Sequence, residues 1–375
     1  DDPLLQATAL VAARGQRDIA ELVVAGARIA GRERCCSRGF RLADWIWAQE
    51  GADSEVFEGL VLAKEPLNRQ MPRRLSPARV VLFDDALEPE ALEEEALATE
   101  AGFSRYRELQ EAFRAGLKKL LEHKINLVLC SRGVAEAAEQ LLGESGVLVL
   151  RRVSPRDLAK VAQHTGARAV KRSWLNRTEA APEAIAGRAD KVCYDEKLRV
   201  VRLEGGGGEA VATMMIGAGT AEVKEEHQRI AEDAAGAVQQ ALLGGVVAGG
   251  GAAEMGIVEE LEKVRAATAG MAAYGIDCMA AALRRPLQQI AANAGFNPLE
   301  KVEQVKQTLI AGQKNAGVDC DRGEICDMIS RGVVDPANIK IQALRTATEI
   351  AEAILRVNII IRAADAPSVS EEANR

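Results

Sequence analysis

Apolar residues in the first 31 positions recur at the spacing of an amphipathic α-helix. Gly15 interrupts the run, and glycine is unfavourable in a helix interior. The pattern therefore predicts helix over residues 5–31 with a break at Gly15. The positions that carry it are Leu5, Ala9, Ala12, Ile19, Leu22, Val23, Ala25 and Ile29.

From about residue 41 the pattern changes to short apolar runs rich in β-branched residues, which is typical of strands. Trp45 and Trp47 lie two positions apart in the first run and are expected on one strand face. The later runs cover residues 57–63, 78–84, 125–131, 146–153, 167–172 and 198–205. Helical patterns lie between several of them, at residues 104–124, 133–142 and 154–164. This alternation predicts an α/β unit over residues 55–204.

Beyond Thr220 the apolar spacing is almost wholly helical. The predicted helices cover residues 221–243, 252–294, 300–312 and 337–361. Four glycines at 205–208 precede this part, and a hairpin turn is favoured there over a phosphate loop because no helix starts directly behind them. The predicted fold class is therefore multidomain α+β, with an α/β domain, a mixed domain and an all-α C-terminal part.

Composition and charge narrow the class of protein. The chain has 375 residues and is 48% hydrophobic and 27% charged. Its net charge is −7 and it has no long basic run, which argues against nucleic acid as a partner. No apolar run reaches membrane-spanning length, so no membrane partner is expected. Seven cysteines at irregular spacings, without a C-x-x-C pair, disfavour a zinc site and fit a reducing, cytoplasmic setting. The first residues, DDPLLQ, resemble neither a signal peptide nor a natural start.

Three consecutive glycines, Gly249, Gly250 and Gly251, stand directly before a predicted helix. Because they lack a Cβ, another group can approach their backbone, and the free N–H groups of a helix start suit phosphate or ribose oxygens. By itself the run is equally typical of a plain turn. Asp335 before Pro336 fits a helix N-cap.

Several separated motifs together resemble the chaperonin family. VVAGGGAAEM (246–255), ANAGFNPLEKV (292–302) and residues 315–361 resemble the C-terminal equatorial half of a chaperonin. The motifs that resemble the apical domain of the archaeal and eukaryotic-cytosolic, or thermosome, type cover residues 57–88, 126–142 and 147–170. Asp233 precedes Gly249 by 16 residues, a spacing more similar to the bacterial type. An archaeal-like chaperonin carried by a bacterium would account for both the thermosome-type motifs and the bacterial-type spacing.

The resemblance implies a division of the chain. Residues 1–54 would ascend through the intermediate domain, and residues 55–204 would form the apical, substrate-binding domain with a lid protrusion at about 86–120. Residues 205–240 would return through the intermediate domain, and residues 241–375 would complete the C-terminal part of the equatorial domain. The family's N-terminal equatorial segment, with its G-D-G-T-[TS] phosphate loop and second catalytic Asp, does not occur in these 375 residues.

The resemblance also implies a nucleotide site for ATP with Mg²⁺. Asp233 would orient and help deprotonate the attacking water, whereas the adjacent Glu232 would point away from it on the helix. Asp335 would receive the ribose hydroxyls. The other residues expected to bind the nucleotide are Gly249, Gly250, Gly251, Asp319, Cys320, Asp321 and Lys340. No metal ligand is assigned.

The implied activity is ATP-dependent enclosure and folding of non-native polypeptides in a ring of identical or homologous subunits. A built-in lid would replace a separate lid co-chaperonin. The candidate polypeptide-binding residues lie on two apical helices, whose core and cavity faces the sequence does not separate: Val134, Ala138, Leu141, Leu158, Lys160 and Val161. A passive, ATPase-dead polypeptide-binding fragment is the alternative.

Overall fold

The computed structural model describes residues 3–90, 99–176 and 182–358. Its helices are α1 (Pro3–Ala12), α2 (Arg17–Ala30), α3 (Arg32–Cys35), α4 (Glu100–Glu122), α5 (Glu136–Glu144), α6 (Pro155–Thr165), α7 (Ala221–Gly244), α8 (Ala252–Ala266), α9 (Met271–Asn293), α10 (Pro298–Ile310) and α11 (Ala337–Leu355). Its strands are β1 (Ile46–Glu50), β2 (Glu55–Leu62), β3 (Arg74–Leu75), β4 (Ala78–Phe83), β5 (Leu127–Cys130), β6 (Leu148–Leu150), β7 (Ala169–Val170), β8 (Gly187–Asp195), β9 (Val200–Gly206), β10 (Ala212–Ala218), β11 (Val246–Ala248), β12 (Ala316–Val318), β13 (Ile325–Asp327) and β14 (Val334–Pro336).

Ten strands form one sheet in the order β1-β10-β2-β9-β8-β4-β5-β6, with β3 paired to β8 and β7 to β4. Strands β4, β5 and β6 are parallel, and α4 and α5 connect them. Parallel strands need such crossover helices, so this part of the sheet is what the alternating sequence pattern predicts. One continuous core of buried side chains extends from α1 and α2 across the sheet to α7.

Strand β2 changes its partner along its length. Its first four residues pair with β10, and the pairing with β9 begins at Gly59. The Gly59 N–H donates to the Val211 carbonyl at 2.8 Å, and the Gly59 carbonyl accepts from the Thr213 hydroxyl at 2.8 Å. Gly59 is therefore the joint between the two halves of the sheet. The domain limit predicted at residue 204 falls inside β9, and the domain limits remain predictions.

Local sequence signals at α6 are confirmed. The Ser154 hydroxyl caps the helix by accepting from the Asp157 N–H at 3.1 Å, and Pro155 occupies the first turn. Gly166 ends the helix in the left-handed conformation, with φ 74°. Capping groups of this kind satisfy backbone donors that a helix end leaves free. The break at Gly15 is also confirmed, since α1 ends at Ala12 and α2 begins at Arg17.

The predicted hairpin at the four glycines is wrong, because β9 and β10 lie on opposite sides of β2. The glycines pack instead against the end of α6. The Gly208 N–H donates to the His164 carbonyl at 2.8 Å, and a Cβ on Gly208 would come within 2.3 Å of the Gln163 carbonyl oxygen. Close backbone approach, rather than turn geometry, explains why glycine occupies this position.

The two tryptophans also differ from their prediction. Trp45 ends a short 3-10 helix over Leu42–Trp45 and is buried in the main core. Trp47 lies in β1 and packs on a separate cluster around Val61 and Met215. They do not share a strand face, because only one of them belongs to the strand.

The C-terminal part is helical, with two differences from the sequence prediction. The helix predicted over residues 252–294 is two helices, and Gly270, with φ 75°, precedes the second. Two small antiparallel sheets, β11 with β14 and β12 with β13, join the helices. The last helix, predicted to reach residue 361, ends at Leu355, and the predicted tail lies in residues 359–375, outside the described residues.

The lid region is described in part. Residues 91–98 of the predicted protrusion lie outside the described residues, and α4 follows from Glu100. Among residues 3–90, 99–176 and 182–358, none of the helices combines the length and the apolar character that crossing a bilayer requires.

His164 gives the fold an expected sensitivity to acid. The residue is fully buried beside Gly206, and neither ring nitrogen has a side-chain or backbone partner among the described residues. Burial lowers the pKa of His164 from its ordinary 6.5. Because the folded state holds the proton more weakly than the unfolded state, stability is fully present above about pH 6.5 and falls as the pH drops toward the folded pKa.

We therefore expect the free energy of unfolding to fall by at most about 1.4 kcal/mol per pH unit from this group below pH 6.5. Urea denaturation of the wild type and of His164→Leu between pH 8 and pH 5 measures it. Below pH 6.5, the free energy of unfolding should fall less steeply with decreasing pH in His164→Leu than in the wild type. Identical slopes in the two proteins would contradict the assignment.

Candidate functional site

The glycine turn is held by a short sheet. Strand β11 pairs antiparallel with β14, which places Val247 opposite Asp335. The pairing continues into the turn, where the Gly249 N–H donates to the Val333 carbonyl at 2.9 Å. Gly250 and Gly251 then take left-handed conformations, with φ 63° and 82°, before α8 begins. Other residues adopt this conformation only with strain, so the turn requires glycine at both positions.

The turn also leaves room for Asp335. A Cβ on Gly249 would lie 3.2 Å from Asp335 Oδ2, and a Cβ on Gly251 would lie 3.0 Å from Leu287 in α9. Gly249 thus allows a carboxylate to stand directly against the turn, and Gly251 allows α8 to pack on α9. The sequence prediction that Gly249, Gly251 and Asp335 belong to one site agrees with this placement.

Asp335 is part of an ion-pair cluster. Lys340 Nζ lies 2.9 Å from Asp335 Oδ2 and donates to Glu254 Oε1 at 2.6 Å. Burial lowers the pKa of Lys340, but the hydrogen bonds to Glu254 and Asp335 outweigh it, and the net effect raises the pKa. The protonated form of Lys340 is therefore favoured between the two carboxylates. Sequence reasoning missed Glu254, although an acidic residue in the first turn after a glycine run was visible.

The hairpin of β12 and β13 carries Asp319, Cys320 and Asp321 at its turn. The Asp319 carboxylate accepts from the Asp321 N–H at 2.9 Å and pairs with Arg331. These two contacts, in that order, lower the pKa of Asp319. Burial, followed by the charges of Asp319 and Asp321, raises the pKa of the Cys320 thiol, which disfavours the reactive thiolate.

Met328 connects this hairpin to the glycine turn. Its side chain lies against Gly317 in β12, and its Sδ would be 3.4 Å from a Cβ on Gly250. Met328 belongs to a small buried cluster with Ala248 and Ala252. The structure therefore brings the glycine turn and the hairpin together on one packed unit.

Asp233 lies elsewhere, on α7. It lines an open cavity of about 1370 Å³ between α7, α6 and β1. The lining also includes Asp44, Lys160 and Ile339, but neither the glycine turn nor Asp335. The predicted nucleotide residues and Asp233 thus form two separate sites in this conformation.

Glu232 is the neighbour of Asp233 on α7 and lines the same cavity. Gln228 Nε2 donates to Glu232 Oε1 at 2.5 Å, whereas Asp233 is exposed and accepts no hydrogen bond among the described residues. The two neighbouring carboxylates therefore differ in their hydrogen-bond partners.

The structure separates the faces of α5 and α6, the two helices predicted to bind polypeptides. Ala138, Leu158 and Val161 are at most 2% exposed in the main core, which removes them from the predicted polypeptide-binding set in this conformation. Val134 and Leu141 are half-buried against the same core. The apolar stripe of each helix packs on the sheet, as amphipathic helices do.

Lys160 is engaged within the chain. Its Nζ donates to the Asp44 carbonyl and lies 4.9 Å from the centre of the Trp45 ring. Burial, followed by the charge of Arg156, lowers the pKa of Lys160. Arg156 pairs with the Asp44 carboxylate at 2.6 Å. Helix α6 is thereby attached to the segment before β1, and Lys160 has a structural role that its sequence assignment did not include.

Fold and site together define a class of protein: a multidomain α+β chain whose helical C-terminal part holds a glycine turn against a carboxylate–lysine cluster. Residues 11–365 match the TCP-1/cpn60 chaperonin family. The chain belongs to this family, as the separated sequence motifs predict.

The chain is similar to archaeal thermosome subunits. It is 33% identical over 316 residues to a thermosome subunit of Methanopyrus kandleri, which covers 83% of this chain and 57% of that relative. It is 34% identical over 316 residues to a thermosome subunit beta of Archaeoglobus fulgidus, with the same coverage. The chain thus spans 57% of the length of these curated relatives. The resemblance to the thermosome type is confirmed.

Two solved structures share the fold. A group III chaperonin in the open state superposes with a TM-score of 0.88 at 39% identity, over 96% of this chain and 73% of that chain. An open-state monomer of a group II chaperonin from Methanococcoides burtonii gives a TM-score of 0.68 at 24% identity, over 95% of this chain and 86% of that chain. The multidomain α+β fold class is confirmed.

Proposed function

We propose that the chain is part of an ATP-driven chaperonin subunit that binds, encloses and folds non-native polypeptides in the cytoplasm. One observation carries the proposal. In a chain of the chaperonin family, the glycine turn stands against Asp335 at Gly249, and Asp335 is paired with Lys340. A backbone without side chains beside a hydrogen-bond acceptor is what the ribose side of a nucleotide requires.

The residues of the turn and its neighbours fit a nucleotide. Gly250 presents no side chain to a ligand, and Asp335 Oδ1 has no hydrogen-bond partner among the described residues and is available to ribose hydroxyls. The β12–β13 hairpin, which Met328 connects to the glycine turn, would lie on the adenine side of the nucleotide. Its turn carries Asp319, Cys320 and Asp321. Mg²⁺ bound with the nucleotide would neutralise charge on the phosphates. No group of three or more potential metal ligands occurs among the described residues, so we assign none.

Asp233 would take the catalytic role. A solvent-exposed carboxylate that accepts no hydrogen bond from the described residues is able to accept a proton from water and to orient it. In this conformation it lines the cavity between α7 and α6, away from the glycine turn. Catalysis therefore requires α7 to move toward the nucleotide, and we propose that ATP binding drives this movement.

Polypeptide binding and assembly complete the proposal. The exposed positions of α5 and α6 are mainly polar, among them Gln140, Arg156 and Gln163. We propose that non-native chains contact this face together with the edges of Val134 and Leu141. Identical or homologous subunits would form the ring, and the segment at about 86–120 would close it without a separate lid protein.

The full-length protein tests the proposal directly. We expect ring-shaped particles by negative-stain electron microscopy, Mg²⁺-dependent ATP hydrolysis, and ATP-dependent recovery of a chemically denatured enzyme. Suppression of aggregation without any effect of ATP would instead support the passive polypeptide-binding alternative. Failure to bind ATP would refute the nucleotide site.

A further inference from the structure

Glu254 lies in the first turn of α8, directly behind the glycine turn. It is 7% exposed and is the single acidic residue in the buried class among the described residues. Carboxylates are rarely buried to this degree unless they are paired or functional. The positive end of the helix dipole favours the charge at this position.

One ammonium group serves two carboxylates here. Lys340 Nζ donates to Glu254 Oε1 at 2.6 Å and lies 2.9 Å from Asp335 Oδ2. Asp335 is 30% exposed at its side chain, whereas Glu254 is 10% exposed. Glu254 is thus the inner anchor of the lysine, and Asp335 is the outer carboxylate that faces the turn.

The inner carboxylate is only half satisfied. Glu254 Oε2 is fully buried and has no hydrogen-bond partner in the part of the chain that the structure describes. Leaving a buried carboxylate oxygen without a donor is unfavourable for folding. A residue kept only for stability would not be expected to carry this penalty, whereas such features concentrate at functional sites.

Glu254 has a consequence for Asp335. Without it, Lys340 would have Asp335 as its one remaining ionic partner and would move fully onto that carboxylate. Asp335 would then be a weaker acceptor for a ligand hydroxyl, because its charge would be neutralised by the lysine. Asp335 Oδ2, the oxygen beside Gly249, pairs with Lys340, and by drawing the lysine inward Glu254 leaves Asp335 Oδ1 without a hydrogen-bond partner among the described residues.

We propose that Glu254 is a positioning residue for the ribose of the nucleotide. It acts through Lys340 on Asp335 and touches neither the ligand nor the reacting atoms. This inference rests on the proposed nucleotide site. It predicts that Glu254 sets how strongly the protein prefers ATP to an analogue without ribose hydroxyls.

The test compares ATP with 2′,3′-dideoxy-ATP on the full-length protein, with Kd measured by calorimetry for the wild type and Glu254→Gln. We expect the wild type to bind ATP about tenfold more tightly than the dideoxy analogue, the worth of a charge-assisted hydrogen bond. Glu254→Gln should weaken ATP binding and leave binding of the analogue unchanged, so that the preference is lost. A structural role alone would weaken both ligands equally.

Two further variants make the outcome decisive. Glu260→Gln, on an exposed position of the same helix, should keep the wild-type preference. The double variant Glu254→Gln with Lys340→Met leaves no unpaired charge buried and removes the lysine that would neutralise Asp335, so it should regain the preference for ATP. A wild-type preference in folded Glu254→Gln, or a preference still lost in the double variant, overturns the inference. Absence of ATP binding in the wild type would instead refute the proposed nucleotide site.

Discussion

Replacing Asp233 by Asn in the full-length protein is expected to lower kcat for ATP hydrolysis by about 100-fold or more. The Kd for ATP should stay nearly unchanged, because the side chain lies on α7, apart from the glycine turn. Asn keeps the size of Asp and removes only its ability to accept a proton. Steady-state hydrolysis assays and calorimetric binding measure the two quantities.

The neighbouring carboxylate provides a matched control. Glu232 lines the same cavity and belongs to the same helix, but its carboxylate accepts from Gln228. Glu232→Gln should therefore retain most of the hydrolysis rate. Loss of hydrolysis in Glu232→Gln, with normal turnover in Asp233→Asn, would show that Glu232 is the catalytic carboxylate and would refute our assignment.

Gly59→Ala is expected to lower the free energy of unfolding by about 3 kcal/mol or more. Gly59 has φ 150°, and an added Cβ would lie 2.2 Å from the Leu203 carbonyl oxygen. That oxygen belongs to β9, so the sheet itself would have to move. Because β2 changes partner at this residue, the strain falls on the joint between the two halves of the sheet.

Urea denaturation, followed by circular dichroism, measures the loss. Gly219→Ala is the control, because an added Cβ there meets no atom within 4 Å and the backbone is not left-handed. It should leave the denaturation midpoint almost unchanged. Equal midpoints for Gly59→Ala and Gly219→Ala would show that the sheet tolerates displacement at its joint.

Part of the proposed nucleotide site was predictable because its signal is local. Three glycines before a helix need few other residues to define their conformation. The N-cap predicted at Asp335 is wrong, because α11 begins at Ala337 with Pro336 at its N-cap and the Asp335 carboxylate pairs with Lys340 instead. Glu254 was missed because its importance depends on burial and on Lys340, which is 86 positions away. A carboxylate in a first helical turn is usually a surface residue, and periodicity does not separate the two cases.

The sequence did not show which predicted polypeptide-binding residues are buried, and the reason is related. A helix such as α6 shows an apolar stripe in its sequence, but the stripe indicates only which face is buried and not what buries it. Leu158 and Val161 are covered by the sheet of the same chain. The same stripe on an unpaired helix would have been open to a substrate.

The sequence by itself determined most of the helices, the caps of α6, the glycine turn and, through its separated motifs, the family. These features depend on neighbours within a few positions, where side-chain spacing and backbone preference act directly. Only the tertiary structure decided that β2 lies between β9 and β10, that Glu254 anchors Lys340, and that Asp233 stands apart from the glycine turn. Each of these depends on contacts between distant segments, whose free energy comes from burial and charge pairing that no local pattern contains.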